Sequence, residues 1–117
     1  MSANVTIYHN PRCSKSRQTL QLVEEQGIKP EIKLYLADAP SAEELKDVLT
    51  KLGISARELL RTKEQEYKDL DLKNQDHTDD AIISAMIQHP KLIERPIVIK
   101  GDQARIGRPP EQVLEIL

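Results

Sequence analysis

The chain has no Phe, no Trp and three Tyr among its 117 residues, so its core must be built from Ile, Leu, Val and Ala. It has one cysteine, Cys13, which excludes an internal disulfide and fits a reducing compartment. No apolar run approaches the roughly 18 residues that would cross a bilayer, so no membrane span is expected and the expected location is cytoplasmic. Net charge is -2, which gives no broad basic field for nucleic acid or anionic lipid. One cysteine and three scattered histidines offer no zinc spacing, and no Walker glycine loop is present. Asp76, Thr78 and Asp80 imitate the start of a calcium loop, but Ala81 and Ile87 stand where that loop needs glycine and glutamate. No bound metal or cofactor is expected.

What remains is a globular composition, 38% apolar, in a length that suits one domain and can bury about two thirds of its unfolded surface. Residues 4–8 read as a short strand, and the stretch from Lys15 closes as a helix at Gly27 with Ser16, Leu20 and Val23 on one side. Glu31 to Leu36 alternates with period two, which places Ile32, Leu34 and Leu36 on one face of a second strand. Strand, helix, strand predicts a parallel βαβ unit.

Ser41-Ala42-Glu43-Glu44 has the capping-box form and opens a helix with a Leu45, Val48, Leu49, Leu52 stripe ending at Gly53. Ser55 to Leu60 repeats the start signal, and Lys63 to Gln75 is charged and irregular or loosely helical. Thr78 caps a further helix with Asp79 and Asp80 in its first turn and Ile82, Ile83, Met86 and Ile87 on its buried side, stopped by Pro90. Pro96 to Lys100 and Gln103 to Ile106 form a hairpin across Gly101-Asp102, and Pro109-Pro110 opens a last helix with Val113, Leu114 and Leu117 inward. The expected architecture is α/β: a four-stranded mixed sheet flanked by helices, with a helical insertion over about 41–90 between the βαβ and ββα halves of a single domain.

Cys13 falls at the junction of the first strand and first helix, where main-chain amides and the positive end of the helix favour a thiolate. A free cysteine can equally be a small, inert core residue. Its position in Tyr8-His9-Asn10-Pro11-Arg12-Cys13-Ser14-Lys15-Ser16-Arg17 argues for a nucleophile. Asn10 is placed to brace this loop. Arg17, in the first helical turn, can add positive potential or bond loop carbonyls. Ser16 stands where a Cys-x-x-Cys pair would have its second thiol, so an internal resolving step is absent, although its hydroxyl can reach toward the sulfur. A tyrosine-phosphatase-type site is excluded, because Cys-x5-Arg would need arginine where Thr19 stands.

That loop, together with Glu58-Leu59-Leu60-Arg61, His89-Pro90, Glu94-Arg95-Pro96-Ile97-Val98 and Arg105-Ile106-Gly107-Arg108-Pro109, resembles the glutaredoxin-dependent arsenate reductases and their uncharacterised bacterial relatives over the whole chain. The resemblance implies a thioredoxin-like fold, Cys13 as the nucleophile, and Arg61, Arg95 and Arg108 as the arginines that hold arsenate or a related oxyanion. It implies that His9 helps keep the thiol ionised and that a cis-proline, Pro96, lies beside the cysteine. It further implies glutathione as co-substrate and glutaredoxin as the partner that clears the mixed disulfide. The chemistry is coherent: arginine forks suit a tetrahedral oxyanion, and reducing arsenate takes two electrons where Cys13 is one thiol. Two other activities share this fold, a glutathione-dependent reductase of mixed disulfides and an RNA-polymerase-binding regulator. The regulator's Cys-x-x-Cys switch is missing here. A monomer is expected, since no long apolar stripe is left over once the core helices are assigned.

Overall fold

The computed structural model describes residues 4–74 and 76–117. These form two compact units, one running up to Asp38 and resuming at Arg95–Leu117, the other Ala39–Glu94.

The first unit holds the sheet. Strand β1 (Val5–Tyr8) leads into helix α1 (Ser14–Glu25), and the chain returns as β2 (Glu31–Lys33); after the second unit come β3 (Ile97–Lys100) and β4 (Gln103–Ile106). The order across the sheet is β2-β1-β3-β4, with β1 parallel to β2 and antiparallel to β3, and β3 antiparallel to β4. Ile7 pairs with Ile32 on one side and Val98 on the other, and Ile97 pairs with Ile106. Gly101 makes the hairpin turn at φ 59°, as anticipated. Val5, Ile7, Val23, Val98, Val113 and Ile116 form the core cluster, so the aliphatic core implied by the missing aromatics is present.

Two expectations for this unit fail. The second strand stops at Lys33, and Leu34 to Asp38 is a turn in which the Ala37 and Asp38 amides both donate to Leu34 O. The chain bends before the alternation in the sequence ends, so the three apolar residues do not share one strand face. Ile32, Leu34 and Leu36 are exposed, whereas Tyr35 is buried and stacks on Tyr8 with ring centroids 6.1 Å apart. The C-terminal element, Pro110–Glu115, is a 3₁₀ helix rather than an α-helix. Three residues per turn align Pro110, Val113 and Ile116, all buried, and turn Leu114 outward.

The second unit is helical. Helix α2 (Ala42–Leu52) and α3 (Ala56–Leu59) each start with a complete capping box, at Ser41/Glu44 and Ser55/Glu58. Helix α4 (Gln65–Asp69) is the helical part of the charged segment, whose last residue, Gln75, lies outside the described residues. Thr78 Oγ1 accepts from the Ala81 amide to cap α5 (Asp79–Gln88), and a 3₁₀ turn follows at Pro90–Leu92. Helix α5 is the hub, packing against α2, α3 and that turn. Ile82, Ile83, Ala85 and Met86 are its buried residues, while Ile87 is half-buried.

Candidate active site

Cys13 is the N-cap residue of α1, with extended backbone (φ -94°, ψ 123°) and a side chain 9% exposed. The loop before it is closed by its own polar groups. The Cys13 amide donates to Asn10 O (3.0 Å) and the Arg12 amide to Asn10 Oδ1 (3.0 Å). Arg17 reaches back from the first turn of α1, and its Nη1 donates to Pro11 O at 2.9 Å. Asn10 therefore braces the loop, and Arg17 is a clamp on it.

Burial is the largest influence on the thiol and opposes ionisation, but four groups together outweigh it. In order these are the Ser16 amide, the Arg95 guanidinium, the Lys15 amide and the Arg108 guanidinium, and their net effect holds the Cys13 thiol below the ordinary thiol range. Arg108 Nη2 lies 3.9 Å from Sγ, and Arg108 Nε donates to Arg95 O at 2.8 Å. The Arg95–Pro96 bond is cis, and so is Arg108–Pro109, which nothing in the sequence had flagged. Gly107 holds the two segments close: its amide donates to Pro96 O (2.9 Å), and a Cβ there would stand 2.5 Å from Thr19 Oγ1 and 2.8 Å from Pro96 Cγ.

Ser16 acts through its main chain. Its hydroxyl accepts from the Asn10 amide (3.0 Å) and shares a 2.7 Å hydrogen bond with His9 Nδ1, so it ties the end of β1 to the start of α1 rather than reaching for the sulfur. His9 is 6% exposed, and burial followed by the charge of Arg17 lowers its pKa from 6.5. It is neutral at pH 7, and its contact is with Ser16, which leaves positioning rather than positive charge as what it can supply.

Of the three arginines singled out in the sequence, Arg95 and Arg108 act on Cys13. Arg61 belongs to the second unit, where it forms ion pairs with Glu64 (Nη1 to Oε1, 2.5 Å) and Glu94 (Nε to Oε1, 3.7 Å) and its amide donates to Leu92 O. The Lys15 and Ser16 amides are the main-chain donors expected at this helix start, two and three residues past the N-cap. No group of three or more His, Cys, Asp or Glu among the described residues is arranged to hold a metal ion.

A thiol of lowered pKa at a helix start, under the influence of two arginines, can attack an electrophilic centre in an anion or exchange with a disulfide. The family model described as ArsC family matches residues 8–116. The chain belongs to the ArsC family. Its fold is accordingly thioredoxin-like. An arsenate reductase of Haemophilus influenzae is 55% identical over 97% of this chain and 99% of its own length. The uncharacterized protein YfgD of Escherichia coli is 56% identical over 100% and 99%. Among solved structures, an arsenate reductase from Vibrio cholerae superposes with a TM-score of 0.97 at 56% identity, covering 100% of both chains. In ArsC terms, the departure from a two-cysteine redox centre is visible here as the Ser16 hydroxyl engaged between His9 and Asn10.

Proposed function

We propose that this protein is an arsenate reductase that converts arsenate to arsenite with Cys13 as nucleophile, in the cytoplasm, with glutathione and a glutaredoxin supplying the remaining redox equivalents. The observation that carries this reading is the pairing of a thiol of lowered pKa with the Arg108 guanidinium 3.9 Å from its sulfur. An oxyanion drawn to Arg95 and Arg108 is held over Sγ, and the same cations offset the charge that develops during attack. The family resemblance names Arg61 as a third oxyanion donor, a role that requires its guanidinium to exchange Glu64 and Glu94 for arsenate oxygens.

The thiolate attacks arsenic, an S–As bond forms, and one arsenate oxygen leaves as water after protonation. The glutathione thiolate then attacks the Cys13 sulfur; the new S–S bond forms as the S–As bond breaks, and its electron pair stays on arsenic, which falls from As(V) to As(III). The second thiol must come from outside, since the chain has a single cysteine. Thiol exchange with glutaredoxin then releases Cys13. Arsenite formation from arsenate, glutathione and a glutaredoxin tests the reading, with Cys13→Ser as control. Clearance of glutathionylated substrates with no arsenite produced would replace it with disulfide reductase chemistry.

A further inference from the structure

Three of the five exposed large apolar residues among the described ones, Ile32, Leu34 and Leu36, lie within five positions of one another, at 47%, 47% and 42% exposure. They follow the sheet's edge strand β2 into the turn after it. Leu34, Leu36 and Ala37 form one wall of a groove of about 370 Å³ whose other wall is His9, Asn10, Pro11 and Arg12. The groove ends one residue before the nucleophile. An apolar groove at the rim of a polar, anion-seeking site contributes nothing to holding an oxyanion and fits neither the carboxylates nor the amides of a small peptide thiol. It has the character of a protein-docking surface: apolar at its centre, with charge around it.

Among the residues that line the groove the one charged side chain is cationic: Arg12 is exposed there, and exposed Arg17 sits at the same end through its Nη1 bond to Pro11 O, while Asp38, just past Ala37, is paired with Lys33. We propose that the Leu34–Leu36 groove seats a thiol-bearing reductant protein, which inserts an apolar side chain between Leu36 and Pro11 and sets carboxylates against Arg12 and Arg17, bringing its own thiol to the Cys13 mixed disulfide. The proposal rests on the reading of Cys13 as a nucleophile that glutathione leaves in disulfide form. In the step it serves, the partner's thiolate attacks the glutathione sulfur, the bond between that sulfur and Cys13 Sγ breaks, and Cys13 leaves as a thiolate. The partner carries glutathione away in a new disulfide, so one S–S bond is exchanged for another with no net redox change. Cationic rim residues steer the anionic partner, and the apolar contact holds it in place.

The test bypasses arsenate. Cys13 is loaded with glutathione by reaction with oxidised glutathione, and the rate of its release is measured with dithiothreitol and with a glutaredoxin whose active-site rim is acidic. Leu34→Asp/Leu36→Asp is expected to slow release by the glutaredoxin about tenfold or more, with the dithiothreitol rate unchanged. Leu36→Ser is a milder variant that keeps the test valid if the double variant does not fold. Arg12→Glu is expected to slow the glutaredoxin reaction severalfold at low salt, a difference that shrinks as salt rises. Unchanged glutaredoxin rates in Leu36→Ser and the double variant would overturn the proposal, as would equal slowing with both reductants. A wild-type dimer that Leu36→Ser converts to monomer would do so too, because the groove would then seat a second copy. Loss of arsenite production with these rate differences intact would remove the arsenate reading and leave the docking surface standing.

Discussion

The starts of α2, α3 and α5 in the second unit are sealed by oxygen, and the start of α1 in the first is faced by sulfur. Ser41, Ser55 and Thr78 each accept a hydrogen bond from the amide three residues on, at Glu44, Glu58 and Ala81. Cys13 occupies the same N-cap position in α1 and makes no cap hydrogen bond. The amides of Lys15 and Ser16, which a serine oxygen would claim, favour charge on the thiolate instead. One backbone geometry thus serves stability in one place and reactivity in another, and the atom at the cap decides which.

Exchanging the atom gives the largest expected effect. Cys13→Ser restores an oxygen cap; arsenite production should fall by on the order of 10³ or more, as for loss of an essential nucleophile, while urea unfolding shows stability unchanged or raised by about 0.5–1 kcal/mol. A variant that is both inactive and clearly less stable would mean that the sulfur, like the oxygens elsewhere, is structural. Next comes Arg108→Ala. It removes a cation 3.9 Å from Sγ, so the thiol pKa should rise, read by thiolate ultraviolet absorbance, and activity should drop about 10²-fold. In the second unit, Ser41→Ala should cost about 1 kcal/mol in urea unfolding and leave the Cys13 titration where it was.

The smallest effect concerns pH. His9 is held below 6.5 in the folded chain, by burial first and by Arg17 second, so the unfolded chain binds a proton more readily. Stability from this group is complete above the unfolded value near 6.5 and is lost as pH falls through the lower folded value. His9→Asn should flatten the acid side of the stability profile, measured by urea unfolding across pH, because the variant has no group there to take up a proton. An unchanged profile would mean that His9 is not held neutral by the fold.

Much of this was written in local chemistry. Capping boxes, the glycines at 27, 53 and 101, and Pro90 state where elements begin and end, and such signals act within a few residues. The nucleophile was legible for the same reason, since an N-cap cysteine is a local arrangement. Which side of β2 is buried was not. Alternation in Glu31 to Leu36 reports a period but not the residue at which the chain bends, and the stacking of Tyr35 on Tyr8 is a contact between residues 27 positions apart. The Ser16 hydroxyl follows the same rule: its closeness in sequence to Cys13 points to the sulfur, whereas its hydrogen bond is with His9, seven residues earlier. Of the two carboxylates on Arg61, Glu64 is three positions on and within reach of a local reading, whereas Glu94 is more than thirty positions on and is not.

The bond from Arg108 Nε to the carbonyl of Arg95 gives these two cations a shared scaffold. Removing the side chain at 108 takes away one charge and also the support of the backbone that carries the other. Losses at the two positions will therefore fail to sum, and a thermodynamic cycle over both substitutions would show a coupling term that neither single variant reveals.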